Sequence, residues 1–199
     1  MHDRCDRQLG DPTRVVPDDN DLLRLTAAGD VEAFQTFVRR YVPLIARFVR
    51  GLIGSETDSE DILQETFLAA WRDARTFRGD GSPKAWLFQI ARNATFRSRR
   101  RHVGEPPFLE SLDELTLDAT AGELDAPRDT LDRLADRDVL ERALGQLAKE
   151  DREVLLLRDV EGFSGKETAA LLQLSLPAMK SRLHRARRRL MNGVQRESS

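Results

Sequence analysis

The chain has 199 residues, 40% of them apolar, one cysteine and a formal net charge of −2, enough for one large or two small cores. Six per cent aromatic content and eight prolines give no support to a β-sandwich. A single cysteine rules out an intramolecular disulfide and a Cys-rich zinc site, no apolar run reaches bilayer-spanning length, and the opening MHDRCDRQLGDPTRVVPDD lacks the apolar core of a secretory signal. The composition therefore points to a cytoplasmic protein with no membrane segment. His2 and Cys5 are two lone ligands in a polar stretch, so neither a metal nor another cofactor is expected.

Residues 1–17 are polar with two prolines and read as a disordered tail. DNDLLRLTAAGD predicts a short helix closed by Gly29, and Asp30 can cap the next. In that helix Phe34, Phe37, Tyr41, Ile45 and Phe48 form a core-facing stripe, and Pro43 should bend or break it. A third helix follows the polar loop GSETDSED. Its spacing turns Ile62, Phe67, Ala70, Trp71 and Ala74 inward and leaves Glu60, Asp61, Gln64, Glu65 and Arg72 outside. After the turn FRGDG, Ser82 and Pro83 form an N-cap and first-turn pair for a fourth helix with Trp86, Leu87, Ile90, Ala91 and Ala94 on its apolar side. No alternating strand pattern interrupts residues 18–101, so this unit is all-helical.

The near-neutral total hides two basic blocks and one acidic one. Lys84, Arg92, Arg97, Arg99, Arg100 and Arg101 make the first basic block. Residues 102–136 form a linker in which ten acidic residues, from Glu105 to Asp136, face only Arg128 and Arg133. Helical pattern returns with Val139, Leu140, Ala143, Leu144 and Leu147, and again from Glu150 through Val160, opening a second unit over 137–196. The fold class is thus all-α: two small helical domains joined by an acidic linker.

The stretch from Gly162 to Leu190 holds two helix starts a dozen residues apart. Ser164 and Glu167 have the spacing of a capping box, so one helix starts near Gly165 and runs to about Leu172. Ser175 offers the next N-cap, with Pro177 in the first turn, which leaves a very short connection. Leu176, Met179, Leu183, Ala186 and Leu190 then mark one apolar stripe, while Lys180, Ser181, Arg182, His184, Arg185, Arg187, Arg188 and Arg189 turn outward with no acidic residue among them. A helix-turn-helix reader of DNA has this pattern, its basic helix suited to phosphates and guanine edges. Gln173 occupies a turn position where glycine is cheapest.

SEDILQETFLAAW (59–71), TFRGDGSPKAWLFQIARN (76–93) and REVLLLRDVEGFSGKETAALLQLSLPAMKSRLHRARRRL (152–190) resemble, in order and spacing, conserved regions two and four of bacterial extracytoplasmic-function sigma factors. The likeness covers nearly everything from Asp21 to Leu190. It implies a subunit that binds core RNA polymerase at its clamp and flap, directs it to promoter DNA and helps open the duplex; an anti-sigma partner is left open. On this resemblance Asp61, Gln64 and Glu65 contact the clamp, and Phe77 and Asn93 form a pocket for a flipped minus-10 base. Arg92, Arg97, Arg99 and Arg100 hold backbone phosphates, and Lys180, Ser181, His184 and Arg185 meet the minus-35 element in the major groove, with Arg188 further along the helix reaching only its backbone. Gln173 stands where the family usually has glycine, and ATFRSRRR lacks the acidic residue often found after the asparagine of ARN.

Two rival readings differ in class. A free-standing dimeric helix-turn-helix regulator needs a dimer seam or an effector domain, and neither shows in the sequence. A nucleic-acid enzyme such as a recombinase needs a nucleophile with partners, yet Tyr41 lies on a core stripe and no general-base or metal cluster stands beside a serine. The expectation is a protein that is not an enzyme.

Overall fold

The computed structural model describes residues 17–53, 56–77, 79, 81–103 and 137–197. Nearly all of the expected N-terminal tail and of the acidic linker lies outside the described residues. Among the described residues there are helices and turns and no strand.

The first unit holds α1 (Asp19–Ala27), α2 (Val31–Ile53), α3 (Glu56–Asp73), a 3-10 turn (Ala74–Thr76) and α4 (Pro83–Val103). Asp18 starts α1 by accepting from the Asp21 amide at 2.8 Å, and Gly29 ends it at φ 95°, where a residue with a Cβ would be strained. Asp30 opens α2 by accepting from the Ala33 amide at 3.0 Å. Helix α2 is the spine: Phe37, Tyr41, Ile45, Phe48, Val49 and Leu52 are all buried on one stripe. Each large apolar side chain so buried contributes on the order of 1.5–3 kcal/mol. That packing explains why α2 passes unbroken through Pro43, contrary to a break there: one missing N–H is outweighed by a stripe that both halves of the helix share.

Helices α1, α3 and α4 cover α2 with Leu22, Leu23, Ile62, Phe67, Ala70, Leu87, Phe88, Ala91 and Ala94. The buried Tyr41 hydroxyl donates to Asp19, and this burial together with the carboxylate holds the phenol well above its usual pKa. Trp71, expected inside, instead lies on the flank of α3, 37% exposed, with its ring 5.0 Å from that of Phe34. Thr66 and Ala69 occupy interior positions in its place; their small side chains let α3 lie close to its neighbours.

The second unit comprises α5 (Arg137–Gly145), α6 (Lys149–Leu155), a π-helical turn (Leu156–Val160), α7 (Gly165–Leu172) and α8 (Leu176–Glu197). Helix α8 is its axis, with α5, α6 and α7 all packed on it. Arg152, almost fully buried, stitches the α5–α6 corner by donating to the carbonyls of Gly145 at 2.6 Å and Leu147 at 3.2 Å. The two units touch: α2 lies against α6 and the π turn, and α4 against α7.

Candidate nucleic-acid interface

The α7–α8 corner is built as its residue types require. Ser164 Oγ accepts from the Glu167 amide at 3.2 Å, and the Glu167 carboxylate accepts from the Ser164 amide at 2.9 Å, completing the capping box. These bonds hold the Glu167 carboxyl below its usual pKa. Gln173 ends α7 in the left-handed region, at φ 57° and ψ 36°, and the amides of Gln173 and Leu174 close the helix onto the carbonyls of Ala170 and Ala169. The glycine-favouring position is real, and glutamine holds it. Ser175 then caps α8 through the Ala178 amide at 3.3 Å. Gly165 permits the crossing, since a Cβ there would lie 3.2 Å from the Met179 methyl.

Along α8, Met179, Leu183, Ala186, Leu190 and Gly193 are buried. Lys180, Ser181, His184, Arg185 and Arg188 are all exposed and share the opposite face. Two outward arginines are tied down by acids of other helices. Arg187 makes a two-pronged ion pair with Asp159 at 2.9 and 2.6 Å, and Arg189 pairs with Asp151. The basic helix, uniform in sequence, is therefore divided into a presented face and a neutralised flank.

On α3, Asp61 and Gln64 are exposed, and Glu65 pairs with Arg97 of α4 at 3.1 Å. Leu68, one turn beyond Gln64 on the same outward side, is 69% exposed. A cleft of about 230 Å3 opens between α3 and α4, lined by Glu65, Ala69, Arg72, Asp73, Ile90, Asn93 and Arg97. Asn93 is exposed there, its side-chain carbonyl accepting from Gln89 at 3.1 Å. Phe77 does not line this cleft: it is half-buried, its ring 5.5 Å from that of Trp86. Arg99 is half-buried and Arg100 exposed on the last turns of α4. Arg92 faces the second unit, bonded to the Glu153 carboxylate at 2.6 Å with its guanidinium 4.8 Å from the centre of the Phe96 ring. The sequence reading had singled out neither Leu68 nor Glu153. An apolar residue one turn from Gln64 on a polar face was the available signal for the first; the second carries no local signal.

Among the described residues no group of three or more His, Cys, Asp or Glu is placed to hold a metal ion, and no helix is long and apolar enough to cross a membrane.

Residues 37–104 match the family described as Sigma-70 region 2, and residues 137–190 match Sigma-70, region 4. The chain is similar to the RNA polymerase sigma factor CnrH of Cupriavidus metallidurans, 34% identical over 180 residues that cover 87% of this chain and 94% of the relative. It is also similar to the ECF RNA polymerase sigma-E factor of Escherichia coli K12, 29% identical over 182 residues, covering 89% and 94%. Among solved structures, CnrH in complex with the cytosolic domain of CnrY aligns with TM-score 0.62 and 31% identity, over 87% of this chain and 95% of the other. The sigma factor RpoE of Bartonella quintana, in complex with the anti-sigma factor NepR, aligns with TM-score 0.61 and 29% identity over 83% and 98%. Regions two and four in order, with these relatives, place this chain in the extracytoplasmic-function branch of the sigma-70 family: it is a promoter-specificity factor for RNA polymerase.

Proposed function

We propose that the three surfaces divide the work of initiation. Asp61, Gln64 and Glu65 on α3 meet the polymerase clamp, and Asn93 receives a base of the opened minus-10 strand in the α3–α4 cleft, with Phe77 stacking on it after leaving its place against Trp86 outside that cleft. Arg97, Arg99 and Arg100 hold its phosphates, joined by Arg92. Lys180, Ser181, His184 and Arg185 enter the major groove of the minus-35 element, with Arg188 on its phosphate backbone, while the second unit contacts the flap. The observation that carries this reading is the shared solvent face of those five α8 residues, opposite an apolar stripe that fixes the helix's rotation. The exposed amide of Asn93 in a cleft between α3 and α4 supports the strand-opening role.

The chain carries no catalysis of its own in this reading; chemistry belongs to the polymerase. It works in the cytoplasm, and similarity to a sigma factor solved with the anti-sigma factor NepR supports control by an inhibitory protein partner. The test is Asp61→Arg combined with Gln64→Ala. Both side chains are exposed, so stability should move by less than about 1 kcal/mol in total while core-polymerase pull-down falls. Unchanged pull-down would place the contact elsewhere. Transcripts from reconstituted holoenzyme would then identify the promoters.

A further inference from the structure

The arginine run near the end of α8 is not presented as the sequence writes it. Lys180, Arg185 and Arg188 lie on the solvent face, and among the described residues none of them has an acidic partner. The arginines on either side of Arg188 are tied back. Arg187, seven residues after Lys180 and so on that edge of the face, holds the Asp159 carboxylate in its two-pronged pair, and the two side chains are 24% and 12% exposed. Arg189, four residues after Arg185 and so on the other edge, pairs with Asp151, whose side chain is 7% exposed.

Both acids are fixed in place. Asp151 lies in the first turn of α6, where the helix N-terminus favours a carboxylate. Asp159 lies in the π turn, which is closed by the Glu161 amide on the Leu156 carbonyl at 2.8 Å and by the Phe163 amide on the Leu157 carbonyl at 3.1 Å. The first unit grips the same stretch: Arg47 of α2 gives the Glu161 carboxylate two bonds, at 2.8 and 3.0 Å, and the Phe163 ring meets that of Phe88 edge-on at 5.0 Å.

Neither arginine pair is needed to seat α8. The buried stripe of Met179, Leu183, Ala186 and Leu190 does that, and an ion pair with a partly exposed guanidinium adds little. The position of the pairs points to DNA instead. The major groove is about 12 Å wide and a helix with its side chains about 10–12 Å across, so a helix in the groove has a phosphate strand along each flank. Arg187 and Arg189 are the flank cations of α8. Released, each would add a phosphate contact, and such contacts supply essentially all of the binding to DNA of any sequence.

We propose that Asp159 and Asp151 are specificity-determining residues of the recognition helix: they withhold Arg187 and Arg189 from the DNA backbone, so that α8 depends on its base contacts. This rests on the reading of α8 as the minus-35 helix. A matched sequence fixes the helix through base edges, and a released arginine gains there only if that register brings a phosphate within reach. On a scrambled sequence nothing fixes the register, and the helix settles where most cations meet phosphates. Release therefore strengthens binding to scrambled DNA more than to matched DNA.

The test uses holoenzyme reconstituted from core polymerase and the full chain, with a promoter taken from its own transcripts. Binding is measured over a salt series to that template and to one with a scrambled minus-35 element. Asp159→Asn and Asp151→Asn keep the side-chain shape and remove the charge. Each should tighten scrambled-template binding about threefold, steepen its salt slope by about one and lower the matched-to-scrambled ratio about twofold to threefold. Adding Arg187→Gln to Asp159→Asn should restore the ratio. Circular dichroism checks folding, and because the two acids stand on different elements one folded variant suffices. An unchanged ratio, through equal gains on both templates or through none, overturns the proposal. So does a gain that survives Arg187→Gln, or a loss on matched DNA with no gain on scrambled, the result of acids that only position α8. If the unsubstituted protein shows no preference for the matched template, it is the minus-35 reading of α8 that fails.

Discussion

Replacing Gln173 by glycine should stabilise the second unit. The residue sits at φ 57° and ψ 36°, where a Cβ costs about 1–2 kcal/mol. Glycine gives back roughly 0.5–1 kcal/mol through the greater freedom of the unfolded chain. The side chain is exposed, so no packing is lost, and the net gain is about 0.5–1 kcal/mol. For a unit of about 60 residues this is roughly 4–8 °C in Tm. Gln173→Val supplies the opposite arm, since a β-branched side chain in this region is a conformational outlier and should lower stability. Urea denaturation of the full chain, with midpoints compared at constant slope, measures both. If glycine lowers the midpoint, or valine leaves it unchanged, the left-handed turn is not where the strain resides.

Ser164→Ala should cost about 1 kcal/mol by removing half of the capping box, read in the same denaturation. Because Glu167 is held below its unfolded pKa of about 4.3, its contribution is present in full above that value and lost as pH falls through the depressed one; the gap between wild type and Ser164→Ala should therefore narrow in acid by the share the Ser164 hydroxyl gives the carboxylate, while the part due to its bond with the Glu167 amide remains. Asn93→Ala should leave closed-complex formation intact and slow duplex opening, with activity restored on a pre-melted bubble template; equal loss on both templates would indicate a folding defect. Arg185→Ala should lose about 1–3 kcal/mol of discrimination for the matched minus-35 sequence, whereas Arg188→Ala should weaken all sequences alike and lower the salt slope by about one; holoenzyme binding over a salt series separates the two, and the reverse pattern would mean the helix enters the groove in another orientation.

Features set by neighbours within four residues were legible in the sequence. The Ser164–Glu167 box, the Ser175 cap and the α8 stripe depend on spacing alone, and each has the partners its spacing implies. Trp71 was misread because helical periodicity assigns a side without saying how wide the buried arc is, and α3 fills its interior with Thr66, Ala69 and Ala70 instead. The partners of Arg92, Arg47 and Arg187 were invisible for another reason. Glu153, Glu161 and Asp159 stand 61, 114 and 28 residues away, and nothing in their local sequence distinguishes them from solvated acids. The basic helix therefore looked uniformly presented, when the tertiary fold neutralises its Arg187 and Arg189 flank.

The π-helical turn at Leu156–Val160 acts as a phase shifter. Its signature bond runs from the Glu161 amide to the Leu156 carbonyl, five residues back, so this turn accommodates one residue more than an α-helical turn would. Each residue of an α-helix advances the direction of its side chains by about 100°. Removing one residue here would let the regular ladder close and swing everything that follows by that angle. Glu161 would leave Arg47, Phe163 would leave Phe88, and α7 and α8 would be re-aimed as a body. The orientation of the reading head relative to the first unit is thus encoded in a residue count, and a single-codon deletion in this turn should disturb it more than most substitutions on α8 itself.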